Sequence, residues 1–145
     1  MVINKQIRFM VMIFIVGVIM GTLSSIVMAS SATSIKKSYS VNGYHYFNQA
    51  TIHAEADNYV TAVLYAESAY EVPAGYIGVN ARLYKNTSLC TSTGMSYNGN
   101  PIYGMGISTG GACGSGSYKA NGVSAAWNGT SYNTYDSYDT PFLPY

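Results

Sequence analysis

Charge is the first thing this 145-residue chain lacks: Asp, Glu, Lys and Arg together make up 9% of it, seven basic side chains against six acidic. Without a basic stripe to neutralise phosphates, sequence-independent nucleic-acid binding is excluded, and no polybasic patch exists to hold an anionic membrane surface. Histidine is confined to His45 and His53. No G-x-S-x-G turn surrounds any serine, so a nucleophile elbow is missing. In "GGACGSGSYK", Gly111 and Gly116 have P-loop spacing, but Ser117 stands where lysine must follow. Neither cysteine has a second cysteine or a histidine at ligand spacing, so no metal site and no cofactor is implied. Aliphatic bulk is short too. From residue 30 onward Ile, Val, Leu and Phe account for 17 of 116 residues.

The apolar residues that do exist are concentrated at the N terminus. Lys5 and Arg8 precede the unbroken apolar run Phe9 to Met20, and Gly21 to Ala32 turns small and polar, the layout of a signal peptide. Small residues stand before two possible cuts, after Ala29 in "VMA" and after Ala32 in "SSA". The competing reading is an uncleaved anchor, because Phe9 to Ala29 carries no charge and about 20 residues span a bilayer. Gly, Thr and Ser dilute the second half of that run, which favours cleavage and soluble export. The expected organisation is therefore a signal peptide over 1–29, a flexible leader over 30–42 and one β domain over 43–145. Membrane contact is expected only through an uncut N-terminal helix.

Two cysteines remain, Cys90 and Cys113. In an exported chain an even count reads as a disulfide with one possible connectivity, the alternative being two reduced thiols. Closing a loop of about 24 residues stabilises a fold by roughly 3.5 kcal/mol on the chain-entropy model. Tyrosine is the abundant residue, and all 15 lie beyond residue 29. A buried ring removes roughly 150–250 Å² from water, about 4–6 kcal/mol as an upper bound. Tyrosine and alanine are thus expected to build much of the core, with some rings left outside.

Period-2 alternation recurs and no sustained helical stripe follows the signal segment. Ala50, Ile52, Ala54 and Ala56 share one strand face; Val60, Ala62, Leu64 and Ala66 share the next. A three-residue turn of Asp57, Asn58 and Tyr59 pairs Ile52 with Leu64, whereas a two-residue turn would mix the faces. After the turn "VPAG", "YIGVNARLYK" points Ile77, Val79, Ala81 and Leu83 one way and Tyr76, Asn80, Arg82 and Tyr84 the other. Residues 86–122 read as loop-rich, with one strand at Ile102 to Ser108. Asn128-Gly129 between Val123–Trp127 and Thr130–Tyr135 predicts a type I′ hairpin. The fold class expected is all-β, an antiparallel sandwich or small barrel with one disulfide.

Candidate chemistry is sparse. His53, Glu55 and Asp57 alternate onto one strand face at about 7 Å steps, a conceivable metal or acid/base cluster, but adjacent same-face groups seldom converge on one ion without a ligand from another element. His45 supplies such a ligand only if "YHYF" folds back, and an aromatic-flanked histidine is more often structural or exposed. No carboxylate pair stands out for glycoside hydrolysis. What remains is a surface of aromatic and amide side chains: Tyr76, Arg82 and Tyr84 on one strand, and Trp127, Tyr132 and Tyr135 near the C terminus. Such residues stack on sugars or serve as low-entropy contacts at a protein interface.

The arrangement "PAGYIGVNARLYKNTSLC", "YN" and "GACGSGSYKANGVSAAWNGTSYNTYDSYDTP" resembles a group of small secreted proteins of Gram-positive bacteria. The likeness covers roughly residues 73–141 and rests on Gly75, Gly78, Arg82, Cys90, Cys113, Asn128 and Gly129. It implies secretion and a disulfide-bonded β fold, and supplies no activity. The leading functional expectation is a secreted, non-catalytic β module that recognises a glycan, wall polymer or protein outside the cell. An exported antagonistic factor, toxin or bacteriocin-like, is the first alternative; a small extracellular hydrolase using His45, His53 or the carboxylates is the second.

Overall fold

The computed structural model describes residues 30–55, 59–111 and 113–145. The signal helix and the Ala29 junction expected from the sequence lie outside these residues. Eleven strands and no helix occur among them: β1 (Ser30–Thr33), β2 (Lys37–Val41), β3 (Tyr44–Glu55), β4 (Tyr59–Val72), β5 (Ile77–Lys85), β6 (Ser88–Ser92), β7 (Ser96–Tyr97), β8 (Ile102–Ser108), β9 (Ser117–Trp127), β10 (Tyr132–Asp136) and β11 (Leu143–Pro144). Sheet A runs β1-β3-β4-β8 with β2 also on β3. Sheet B runs β10-β9-β5-β6, with β11 on β9 and β7 on β5. Every pairing is antiparallel. The two sheets face each other as a sandwich, which settles the sandwich-or-barrel choice.

Alternation decides which residues the sandwich buries. Tyr46, Ala50, Ile52 and Ala54 of β3 meet Val60, Ala62, Leu64 and Ala66 of β4 on the inner face of sheet A. Ile77, Val79, Ala81 and Leu83 of β5 pair with Ala126, Ser124, Gly122 and Ala120 of β9 on the inner face of sheet B. The expected strand faces are therefore present. The expected register is not: Ala54 pairs with Val60 and Ile52 with Ala62, a shift that leaves Tyr59 inside the ladder opposite Glu55. A shift of this kind keeps each residue on its face, so hydrophobic patterning alone does not distinguish the two registers. Asp57 and Asn58 lie outside the described residues.

Three further expectations need correction. Residues 30–42 are not a flexible leader, because β1 and β2 line one edge of β3 and bury Tyr39 and Val41. The two-residue turn with positive φ at both positions is Asn42-Gly43 (φ 51° and 79°), linking Val41 to Tyr44, rather than Asn128-Gly129. At the latter, Trp127 pairs with Tyr132 across a four-residue loop, and Asn128 Oδ1 accepts from the backbone N–H groups of Thr130 and Ser131. The side chain of Asn128 competes for the backbone and widens the turn. Finally, residues 86–122 hold β6, β7, β8 and the start of β9; a strand is legible there only at Ile102–Ser108, since the others are too short to show a period.

The disulfide joins Cys90 to Cys113 with a Cα separation of 6.0 Å. Cys90 is the extra residue of a bulge in β6, where Leu83 pairs with Thr91 and Tyr84 with Leu89. The bond fastens this edge to the glycine-rich loop before β9. Tyr118 holds the same loop from beneath: its hydroxyl accepts from Cys113 N–H at 2.9 Å and donates to the Gly114 carbonyl. The C terminus closes the other end, with Tyr145 exchanging backbone bonds with Gly116 and donating its hydroxyl to the Glu55 carbonyl of sheet A at 2.8 Å.

Gly122 sits on the inner face of sheet B, against Leu64 of sheet A. A Cβ there would run into the Asn80 carbonyl oxygen and stand 2.9 Å from Leu64 Cδ2. Gly122→Ala is expected to destabilise the protein by roughly 1–3 kcal/mol, as overpacking does, whereas Gly99→Ala, with nothing within 4 Å of its Cβ, should leave the thermal midpoint nearly unchanged. Equal midpoints for the two variants would contradict this packing.

Candidate functional site

The outer face of sheet B collects most of the side chains singled out from the sequence. Because residues directly opposite one another share a face, Gly78, Asn80, Arg82 and Tyr84 of β5 lie beside Ala125, Val123, Asn121 and Lys119 of β9. Trp127 and Tyr132 face each other across β9 and β10 at one end. Their rings meet edge to face at 5.0 Å, and Tyr132 also touches Tyr97, with ring centroids 4.5 Å apart. Tyr97 is absent from the candidate set read off the sequence. Its place is set by its partner in the ladder, Gly78: a Cβ on Gly78 would stand 2.6 Å from Tyr97 Cε1. The glycine leaves a bare strip of backbone, and the tyrosine of the neighbouring strand lies over it. Tyr132 donates its hydroxyl to the Gly75 carbonyl at 2.8 Å, and Asn98, bonded to Pro73, Ile77 and Asn100, braces the same corner. Tyr97 and Tyr132 remain 43% and 38% exposed, so the cluster is a surface and not a core.

Six residues along β5 from Gly78, about 20 Å away, the face ends in a second group. Lys119 Nζ lies 5.7 Å from the Tyr84 ring and 5.6 Å from the Phe142 ring, and 2.5 Å from Asp139 Oδ2. Partial burial pushes the Asp139 carboxyl up, but the bonds from Lys119 and Asn121 outweigh it and hold the group below its usual range. Between the two ends the face is polar. Arg82 reaches Asp136 at 3.4 Å, and Asn80 donates to the Thr93 carbonyl.

Tyr76 and Tyr135 point elsewhere. Tyr76 precedes β5 and turns between the sheets, its ring edge-on to Tyr44 at 5.8 Å. It does not share a face with Arg82 and Tyr84. Tyr135 pairs with Ser124 on the inner face and stacks on Tyr39 at 3.9 Å, which in turn stacks near Tyr46 at 5.4 Å. Beside this stack Ser124 Oγ accepts from Tyr39 Oη at 2.8 Å and from Asn48 Nδ2 at 2.7 Å, while Asn48 also donates to the Tyr135 carbonyl. This buried knot joins β2 and β3 of one sheet to β9 and β10 of the other. Loss of solvation pushes Tyr39 up to about 12, partly offset by its bond to Ser124. Burial pushes Tyr46 up to about 12 as well, reinforced by the neighbouring phenols of Tyr39, Tyr44 and Tyr76, and its hydroxyl has no partner within the protein.

The hydrolytic candidates are not drawn together. His45 shares a bond with Ser40 at 3.0 Å and meets Phe47 edge to face, both on the outside of sheet A. His53 and Glu55 are exposed beside Ser30 and Ser31 in a shallow cleft of about 180 Å³, and Asp57 lies outside the described residues. Among the described residues no three His, Cys, Asp or Glu side chains are placed to share an ion. A larger open groove of about 730 Å³ between Thr33–Ile35 and Ser137–Pro141 has Asp139 as its sole charged lining group, already engaged by Lys119 and Asn121. No protein-family model, curated protein or solved structure matches this chain.

The phenol stack predicts an alkaline transition. A phenol whose ionisation is raised by folding contributes stability that is complete below its ordinary value, here 10.0, and is lost as pH climbs through about 12. Each of Tyr39 and Tyr46 carries on the order of 2–3 kcal/mol in this way. Denaturant midpoints should hold steady up to pH 10 and fall steeply above it, in step with late-titrating tyrosinate absorbance. Tyr39→Phe should remove part of the fall. A midpoint unaffected by pH over this window would contradict the assignment.

Proposed function

We propose that this chain is a secreted, non-catalytic β module that holds a ligand outside the cell on the outer face of sheet B. The observation that carries the reading is the Trp127–Tyr132–Tyr97 cluster, in which the Tyr132 ring touches the other two on a rigid sheet, fixed by Gly75, Gly78 and Asn98, and still open to solvent. Rings fixed in this way lose little conformational entropy on binding, and with Thr134 on the same face of β10 and Asn128 in the adjoining loop they offer both stacking and hydrogen bonding. A glycan or wall polymer meets both needs, having apolar ring faces edged with hydroxyls. The scarcity of charge, with no converging acid/base pair among the described residues, supports binding over catalysis.

Export is supported by the signal-like layout of residues 1–29 together with the disulfide, which belongs to an oxidising compartment. The fold favours the cut after Ala29 over the one after Ala32. The first leaves β1 whole and the second removes three of its four residues, including Ala32, which packs against the core.

Retention on purified Gram-positive cell wall and on a glycan array tests the reading. Trp127→Ala and Tyr97→Ala are expected to weaken retention by roughly tenfold to a hundredfold, the scale of an aromatic hot spot. Tyr70→Ala, whose ring is exposed at the end of β4 on the other sheet, should have no effect. Wild-type protein passing through both supports at background level would overturn it.

A further inference from the structure

The second edge of β8 is, among the described residues, the one long strand edge that nothing guards. Among the described residues, β8 pairs with β4 alone. Other outer strands carry the usual obstacles to further pairing: β2 has Lys37, β10 has Asp136, β11 has Pro144, β6 is bulged at Cys90, and β1 and β7 are four and two residues long. Seven residues long, β8 reads IYGMGIS, without charge or proline.

Hydrogen-bond parity shows which backbone groups that edge offers. Ala62 gives its N–H to Thr109 Oγ1 and its carbonyl to Thr109 N–H, so both its polar groups point toward β8. Alternation then turns Leu64 and Ala66 the same way, toward their partners Ile107 and Met105. The Leu64 and Ala66 carbonyl oxygens indeed lie close to Gly106 and Gly104 on that side. The N–H and C=O groups of Gly104, Gly106 and Ser108 consequently point the opposite way, into solvent. Two of these residues have no side chain and the third has a hydroxymethyl, so nothing obstructs an incoming strand.

We infer that β8 pairs with β8 of a second copy of this chain, antiparallel about a two-fold axis at Gly106. That register sets Gly106 opposite its own equivalent and Gly104 opposite Ser108 of the partner copy. All three outward residues then exchange their backbone bonds, and the same patch serves both copies as a two-fold contact requires. Met105 and Ile107, half-buried on the inner face at this edge, come opposite each other and cover their exposed flanks. Charge does not oppose the approach: β8 carries none, and from residue 30 onward five basic side chains against six acidic leave a net charge of −1. An isologous pair of sheets is closed, since each copy has one such edge.

Sedimentation equilibrium on the secreted protein collected from an exporting host should show a monomer–dimer equilibrium. Ser108→Pro removes an outward N–H that β4 does not use, and proline is tolerated at such an edge position. It should weaken the dimer roughly twenty-five-fold, because two symmetric bonds are lost at a factor of about five each, with circular dichroism and thermal midpoint of the monomer unchanged. Amide exchange on wild type gives a readout free of any variant: Gly104, Gly106 and Ser108 should exchange slowly at high concentration and quickly on dilution. Monomer mass at every concentration, or fast exchange of these three amides throughout, overturns the inference. A dimer that persists undiminished in a folded Ser108→Pro protein overturns it equally.

Discussion

The scarcity of large aliphatic side chains governs how this protein is built. Alanine occupies much of both inner faces, at positions 50, 54, 62, 66, 81, 120 and 126, so the sheets approach closely enough that Gly122 lies against Leu64. Where methyl groups do not fill the space, phenol rings do. Tyr46 and Tyr118 are wholly buried, Tyr39 almost so, and Tyr135 lies on Tyr39 across the two sheets. A ring brings bulk together with a polar hydroxyl, and that hydroxyl must be satisfied or held neutral. The Tyr39–Ser124–Asn48 knot does the first. The depressed acidity of Tyr46, whose hydroxyl stays unpartnered, reflects the second.

The same economy explains the outer faces. Glycines that would leave strands bare are covered by tyrosines of adjacent strands: Tyr97 over Gly78 on sheet B, and Tyr65 across Gly104 and Gly106 on sheet A. Covering a glycine fixes a ring without burying it. A structural device therefore also produces rigid, half-exposed aromatic surface, and on sheet B that surface gains Trp127 and Tyr132 to become the proposed ligand face. On sheet A the covered glycines belong to β8, where the outer side is shielded by Tyr65 but the edge is left open.

Peripheral fastening supplies what a thin core does not. The disulfide holds β6 to the loop before β9, Tyr118 holds that loop from inside, and the Tyr145 hydroxyl reaches across to Glu55. These long-range ties close loops that conformational entropy would otherwise open. The tyrosine-rich C-terminal segment is thus divided by role: Tyr135 in the core, Tyr132 on the ligand face, Tyr145 as a clasp between sheets.

Residue alternation by itself determined the all-β class, the buried faces of β3, β4 and β5 and the span of β8, since period and parity are local properties of the chain, and a count of two left the cysteines a single pairing. Register, strand neighbours and the roles of individual tyrosines depended on tertiary structure. A register shift that preserves faces costs nothing in the pattern; Asn42-Gly43 and Asn128-Gly129 read alike until the side chain of Asn128 caps a wider loop; and residues 30–42 are too polar to announce strands that exist only because β3 offers an edge. Tyr76 and Tyr135 resemble Tyr84 and Tyr132 in sequence, but the first two turn inward to fill space between sheets. Only the partner across each ladder decides on which side of the sandwich a phenol ring ends.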